Sequence, residues 1–233
     1  MGLNVMRSWK EVFTEERERY DGYLKRFQGS SYFLNADNLE LFEAELYCEA
    51  FDSFVDGGLQ RYEQIAKMCK ANGIVKVFDI GCNVALHAKV FKEYGISYTG
   101  VEMFKEFVSL SPQGDEISYI HGIYPFGIEV DDKAHTAAVS ELCVGYQASG
   151  EKVWEQLAKD FDYFAGLPGP GKNGEDTDFF KKMFHLVDMV TMEGLPCYFA
   201  VNQRVRNKSV SLDIEECVVE SYQRNKCFVD KNL

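Results

Sequence analysis

Residues 76–103, KVFDIGCNVALHAKVFKEYGISYTGVEM, constrain the fold more than any other part of the chain. The apolar run 76–80 predicts a short strand, Gly81-Cys82-Asn83 is a turn signal, and the spacing of apolar residues predicts a helix over 84–94. A second predicted strand ends at Glu102. A turn that lets a ligand approach the backbone, followed about 20 residues later by an acid, is typical of a nucleotide-binding βαβ unit.

The residues of this turn argue against a dinucleotide. A dinucleotide fingerprint is Gly-x-Gly-x-x-Gly, and this chain has Gly81, Asn83 and Leu86 at those positions. Without the second and third glycines, a pyrophosphate cannot sit close to the helix N-terminus. The Asp79 carboxylate at the strand end would also repel it. The turn therefore disfavours a nicotinamide-dependent oxidoreductase and suits a ligand that has no phosphate.

Two motifs in this stretch resemble those of the class I S-adenosylmethionine-dependent methyltransferase family. Asp79-Ile80-Gly81-Cys82-Asn83 is similar to its first motif, and Gly100-Val101-Glu102 is similar to its second. The family's turn usually continues with a further glycine where this chain has Ala85. The resemblance follows the order of elements over about residues 70–233 and is specific only within 76–103. It implies S-adenosylmethionine as cofactor and methyl transfer as the activity.

The resemblance also implies where the cofactor would be held. The turn that includes Gly81, Asn83 and Ala85 would lie along its methionine part. Asp79 is expected to order this turn and to face the cationic amino-acid end. Glu102 would accept hydrogen bonds from the two ribose hydroxyls, and Met103 would pack on the adenine face.

The third predicted strand is followed by His121-Gly122-Ile123, where the family often has Gly-Asp with the acid bound to the adenine amino group. The resemblance therefore places Gly122 and Ile123 at the adenine. The isoleucine side chain accepts no hydrogen bond. Backbone groups or Tyr124 would have to take over that contact.

The fourth predicted strand ends with Ser140 and Glu141, a position that faces the transferred methyl group and its acceptor in the family. Glu141 is a candidate general base or a ligand for a cationic acceptor, and Ser140 would line the same site. His121 is the other candidate base, because histidine titrates near neutral pH. Each is alternatively an ordinary structural or solvated residue. Positioning and desolvation can supply most of the catalysis, so no strong base is required.

Strands separated by helices predict an α/β fold, a doubly wound and mostly parallel seven-stranded sheet covered on both faces. A helix is expected over 178–192 and a strand over 197–201. The tail, 217–222 and 227–229, predicts a strand pair that would supply an antiparallel C-terminal edge strand. The domain itself is expected to span 76–233.

Residues 1–75 predict a helical N-terminal extension, in which Gly57-Gly58 would end the second helix. This extension, with the segment Ser31-Tyr32-Phe33, is expected to be a lid over the cofactor, a helical layer that completes the core or a dimer surface, and these roles are compatible. The oligomeric state cannot be read from the pattern.

Charge, cysteine spacing and apolar run length limit the kinds of ligand and partner that the chain is expected to bind. The chain carries 25 Lys and Arg against 37 Asp and Glu, a net charge of −12 that disfavours nucleic acid and favours a small-molecule substrate. Seven dispersed cysteines have no zinc-ligand spacing, so no metal is expected, and they are typical of reduced cytoplasmic thiols. No apolar run approaches the length of a membrane span.

The sequence at 166–173, GLPGPGKN, is similar to the phosphate-loop motif. Asn173 stands where that motif has Ser or Thr, and this disfavours nucleotide hydrolysis. The functional prediction is methyl transfer to a small-molecule acceptor. The alternative is a catalytically inactive protein of this fold that acts as a binding or scaffold partner, and Ala85 and Ile123 are the residues that favour it.

Overall fold

The computed structural model describes residues 14–27, 39–141, 143–144, 150–168, 175–192 and 195–205. Its helices and strands follow one another as α1 (Thr14–Phe27), α2 (Leu39–Ser53), a π-helical segment (Phe54–Gly58), α3 (Leu59–Ala71), β1 (Lys76–Ile80), α4 (Ala88–Glu93), β2 (Ser97–Glu102), α5 (Lys105–Leu110), β3 (Ile117–His121), a short 3₁₀ turn (Lys133–His135), β4 (Thr136–Glu141), α6 (Gly150–Asp160), β5 (Tyr163–Leu167), α7 (Glu175–Met183), β6 (Phe184–Met192) and β7 (Leu195–Asn202). Among the helices of these described ranges, none combines the length and apolar character that a membrane span requires.

The strands form one seven-stranded sheet in the order β3-β2-β1-β4-β5-β7-β6. The first five strands in this order pair in parallel. β7 is antiparallel to both β5 and β6. The predicted fold class, a doubly wound and mostly parallel sheet with an antiparallel strand toward its C-terminal edge, is confirmed.

The antiparallel pair is formed by an earlier part of the chain than the sequence predicts. The prediction of one helix over 178–192 is wrong, because α7 ends at Met183 and β6 begins at Phe184. Valine and threonine, which occur in 184–192, favour strands. The backbone of a strand needs a neighbouring strand for its hydrogen bonds, and β7 supplies it. The predicted strand pair at 217–229 lies outside the described residues.

The glycine pair Gly57-Gly58 does not end a helix, contrary to the prediction. α2 continues through the π-helical segment into α3, because Gly58 keeps a helical φ of −55°. Gly57 adopts a φ of 106°, in a region that glycine enters without steric cost. The glycines therefore widen the helix locally, and such π-helical insertions are frequent at functional sites.

Alternation along the strands distributes the core over both faces of the sheet. On one face, Val77 and Val139 pack with the buried side of α3, including Ile65. On the other face, Phe78 packs with α6, including Trp154. The first of these clusters is continuous across position 75, so the N-terminal helices share their core with the sheet.

Helix α1 is attached to the rest of the molecule through Glu16, which is 7% exposed. Its carboxylate accepts hydrogen bonds of 2.6 Å from Lys89 Nζ and 2.6 Å from the Tyr47 hydroxyl. Burial alone would raise the pKa of Glu16, but these hydrogen bonds outweigh it and lower the pKa. The folded protein therefore binds the proton of Glu16 more weakly than the unfolded chain does.

The stabilisation from Glu16 is therefore present above the ordinary carboxyl pKa and is lost as the pH falls through the lowered one. Glu16→Gln is expected to reduce the free energy of unfolding at pH 7, and the difference from the parent is expected to shrink in acid. Urea unfolding at a series of pH values measures this. Glu18→Gln, an exposed change on the same helix, is the matched control. A Glu16→Gln difference that did not change with pH would contradict the assignment.

Candidate functional site

The turn after β1 contains several residues with left-handed backbone conformation. Gly81, Asn83 and Ala85 have φ values of 75°, 54° and 50°, all in the left-handed region. Gly81 N and Cys82 N donate to the carbonyl of Val101, at 2.8 Å and 3.3 Å, which fixes the turn to β2. The following helix begins at Ala88 and not at Val84 as predicted, because left-handed residues cannot continue a right-handed helix.

Gly81 is required at this turn by packing as well as by φ. A Cβ added at Gly81 would lie 2.0 Å from Cys143 Sγ and 2.5 Å from Cys143 Cβ. Burial raises the pKa of the Cys143 thiol to about 11, so this thiol is protonated at neutral pH and acts as a packing group. The end of β1 is therefore closed from the β4 side by Cys143.

Glu102 ties the turn to the end of β2. Its carboxylate is buried and accepts one hydrogen bond on each oxygen, from Asn83 N at 3.0 Å and from Phe104 N at 3.0 Å. A carboxylate oxygen has two lone pairs. Glu102 therefore orders the turn and still has acceptor capacity for a ligand hydroxyl.

Asp79 is the buried centre of a polar network below the turn. It is 1% exposed, and its Oδ2 accepts hydrogen bonds from His87 Nε2 and, at 2.6 Å, from the Tyr98 hydroxyl. The ring of His87 stacks on Tyr62 with centroids 3.6 Å apart and planes 2° apart. The carboxylate expected to face a cofactor's amino-acid end is thus hydrogen-bonded within the protein, and His87 is the member of the network that lines the adjacent cavity.

This cavity has a volume of about 460 Å³ and lies between the N-terminal helices and the turn. It brings together four of the predicted site residues, Gly81, Asn83, Ala85 and Glu141. Its other described lining residues are Leu46, Glu49, Ala50, Ser53, Phe54, Gly58, Arg61, Tyr62, Cys82, Leu86, His87 and Phe107. Its size is in the range of small-molecule sites.

Glu141 is paired across the cavity wall with Arg61 of α3. Arg61 Nε donates to Glu141 Oε1 at 3.0 Å, and the two side chains are 17% and 16% exposed. Burial raises the pKa of the Glu141 carboxyl, and the Arg61 guanidinium offsets only part of this increase. Burial alone would lower the pKa of Arg61, but Glu141 raises it overall, so Arg61 remains charged.

The side chains of Ser140 and His121 do not meet that of Glu141, because Ser140 is on the opposite face of β4 and His121 ends β3. Ser140 Oγ donates to Ile80 O at 3.2 Å and accepts from Val144 N at 3.4 Å, within the protein. His121 is exposed, and its Nε2 donates to Met103 O at 3.1 Å. Since β2 and β1 separate β3 from β4, the two candidate bases are not brought together.

The predicted adenine residues form an exposed apolar rim at the carboxyl ends of β2 and β3. Met103 is 51% exposed and Ile123 is 50% exposed. Gly122 N is occupied by Glu102 O at 2.9 Å. The buried Tyr124 donates its hydroxyl to Asp160 at 2.8 Å, so this hydroxyl is engaged away from the rim.

Most of the cavity wall was missed by sequence reasoning, including Arg61, Tyr62 and His87. Arg61 and Tyr62 belong to an amphipathic helix that carries no motif. His87 lies eight positions after Asp79, at the end of the turn. An ionisable residue so close to a strand-end acid is the signal that could have identified His87.

No family model and no curated protein sequence matches this chain. Among solved structures, a TehB-like S-adenosylmethionine-dependent methyltransferase from Corynebacterium glutamicum is 13% identical, and the match covers 67% of this chain and 96% of that one with a TM-score of 0.50. The N-methyltransferase NodS from Bradyrhizobium japonicum, solved with S-adenosylhomocysteine, is 14% identical over 62% of this chain and 86% of that one, with a TM-score of 0.49.

A protein assigned as a methyltransferase of an antibiotic biosynthesis pathway in Anabaena variabilis is 14% identical, with a TM-score of 0.35. That match covers 40% of this chain and 38% of that one, so the chain spans less than half of that protein's length. The sheet order and the similarity to the Corynebacterium protein show that this chain has the Rossmann-like fold of the class I S-adenosylmethionine-dependent methyltransferases.

Proposed function

We propose that the protein transfers a methyl group from S-adenosylmethionine to a small-molecule acceptor. The observation that carries this proposal is the left-handed turn 81–85, held by the Glu102 carboxylate and opening on a cavity of about 460 Å³. In open α/β sheets, ligands bind at the carboxyl ends of the strands near the point where strand order reverses, which here is between β1 and β4.

The residues present fit the cofactor. Glu102 has acceptor capacity for the ribose hydroxyls, and the exposed Met103 and Ile123 side chains offer apolar surface to a purine ring. The turn backbone would lie along the methionine part. When bound, S-adenosylmethionine would supply an electrophilic methyl group on a sulfonium leaving group.

Backbone strain favours a functional site over an inactive scaffold. Asn83 and Ala85 stay in the left-handed region although they are not glycine. For Ala85 that conformation costs about 1–2 kcal/mol, whereas asparagine adopts it more readily, and the strained conformation persists only where the surrounding structure demands it. Because such strained residues cluster at ligand-binding sites, the left-handed Ala85 supports a ligand at this turn.

Within this proposal, the chain contributes positioning and the exclusion of water more than proton transfer. The helical wall with Leu46, Phe54 and Phe107 would shield the reacting groups. Glu141 is the candidate base that lines the cavity. A base role for His121 would require an acceptor bound near β3.

Titration calorimetry with S-adenosylmethionine and S-adenosylhomocysteine tests the proposal directly. We expect both to bind with one site per chain and NADH not to bind. Absence of binding at millimolar cofactor would overturn the proposed function and leave the scaffold alternative.

Glu102→Ala is expected to weaken S-adenosylhomocysteine binding by about 1–3 kcal/mol, because the ribose hydroxyls lose a charged acceptor. Calorimetry on the variant measures the change in affinity. Glu93→Ala, which removes an exposed carboxylate from α4, is the control. Glu102→Gln retains one acceptor oxygen and is expected to lose less. Unchanged affinity in a folded Glu102→Ala protein would discard the ribose assignment.

A further inference from the structure

The ion pair between Arg61 and Glu141 uses only one atom of each partner. Arg61 donates through Nε, and Glu141 accepts through Oε1. The two terminal amino groups of Arg61 and the Oε2 atom of Glu141 have no hydrogen-bond partner among the described residues. None of these three unpartnered groups is fully buried, and both residues line the cavity. A ligand in the cavity can therefore reach them.

The charge pattern of this wall is specific. Of the described residues that line the cavity, Arg61 alone is a lysine or arginine, and Glu141 lies directly beside it. A simple anion would face the neighbouring Glu141 carboxylate, and a simple cation would face the Arg61 guanidinium. A group that carries both charges side by side matches both residues.

Local structure fixes the pair in this orientation. Arg61 lies in the first turn of α3, directly after the π-helical segment that ends at Gly58. Glu141 is the last residue of β4 and lies on the same sheet face as Val139, whose side chain packs with α3. The guanidinium is thus held by the start of a helix and the carboxylate by the end of a strand. Because both groups are already ordered, ligand binding loses little further conformational entropy.

We propose that Arg61 and Glu141 together form a receptor for a zwitterionic α-amino-acid group. The carboxylate of the ligand would accept hydrogen bonds from the terminal amino groups of Arg61, a geometry that a guanidinium supports with two parallel bonds. The α-ammonium of the ligand would donate to Glu141 Oε2. Glu141 therefore both positions Arg61 and contacts the ligand.

Such a group has two sources. One is the amino-acid end of S-adenosylmethionine, and this source rests on the proposed function. The other is an amino acid that serves as methyl acceptor. The two sources share the same chemistry, and the experiment separates them.

The experiment compares parent, Arg61→Met and Glu141→Gln proteins by calorimetry. The probes are S-adenosylhomocysteine, 5′-methylthioadenosine, which lacks the amino-acid group, and the standard L-amino acids added singly with and without saturating S-adenosylhomocysteine. Lys67→Met, which removes an exposed positive charge from the same helix, is the control. The double variant Arg61→Met/Glu141→Gln leaves no unpaired charge and guards against a folding defect.

If the cofactor supplies the group, Arg61→Met is expected to weaken S-adenosylhomocysteine about 10- to 100-fold and to leave 5′-methylthioadenosine unchanged. If the acceptor supplies it, S-adenosylhomocysteine affinity stays and amino-acid binding is lost in the variant. Both results support the receptor.

The inference is overturned if a folded Arg61→Met protein binds S-adenosylhomocysteine and every amino acid as the parent does, or if the parent binds no probe that carries an amino-acid group. Failure of the parent to bind either nucleoside, with amino-acid binding that depends on Arg61, would overturn the proposed function and leave the receptor standing.

Discussion

Asp79→Ala is expected to lower the free energy of unfolding by about 1–3 kcal/mol, because His87 Nε2 and the Tyr98 hydroxyl lose their shared acceptor and, lying 3.1 Å apart, can satisfy only one of their two hydrogens with each other. Asp79 is 1% exposed, so water cannot replace the carboxylate without rearrangement. Urea unfolding followed by circular dichroism measures the change. Asp79→Asn retains one acceptor oxygen and should fall between the parent and the alanine variant.

A second histidine–aspartate pair in the same chain provides the control. Asp132 Oδ2 lies 2.9 Å from His135 Nδ1, and both side chains are more than half exposed. Asp132→Ala is expected to change stability by less than about 1 kcal/mol, as is usual for surface pairs. Equal losses at Asp79 and Asp132 would show that burial of the Asp79 network does not determine its contribution.

Gly81→Ala is expected to cost about 2–5 kcal/mol of unfolding free energy. About 1–2 kcal/mol comes from placing alanine at a φ of 75°, and about 1–3 kcal/mol comes from its contact with Cys143. The same change is expected to abolish cofactor binding, since the turn must shift to relieve the contact. Chemical denaturation and calorimetry with S-adenosylhomocysteine measure the two effects.

Gly73→Ala separates the two contributions, because Gly73 has a φ of 77° and a Cβ there would meet nothing within 4 Å. It is expected to cost about 1–2 kcal/mol through φ alone. In a Cys143→Gly background, which removes the contacts with both Sγ and Cβ, the cost of adding Gly81→Ala should fall close to that of Gly73→Ala. A single Gly81→Ala cost no larger than that of Gly73→Ala would refute the role of Cys143.

The mostly parallel sheet and its first three strands were within reach of sequence reasoning, because apolar strands and amphipathic helices alternate locally and the turn after β1 carries a motif. The position of Glu102 at the end of β2 was predicted for the same reason, and its contact with the ribose stays a prediction. The strand β6 was not, because the apolar residues of 184–192 suit either a helix or a strand. Only its ladder to β7 distinguishes the two.

The cavity wall depended on contacts between distant parts of the chain. Arg61 and Glu141 are 80 positions apart in the sequence. The ring of Tyr62 in α3 stacks on that of His87 in the turn after β1. No local pattern encodes such a pairing. The same holds for Asp79. Its position resembles that of a cofactor-binding residue, and the sequence does not show that His87 and Tyr98 are its hydrogen-bond partners.

Local pattern alone established the βαβ unit, the mostly parallel sheet and the acid at the end of β2, because hydrophobic periodicity and turn chemistry act over a few residues. The tertiary structure alone decided that Asp79 is bonded to His87 and Tyr98, that Gly57-Gly58 widens a helix, and that Arg61 stands beside Glu141. These outcomes depend on which faces of separate elements meet, and the free energy of that packing is not written in any one segment.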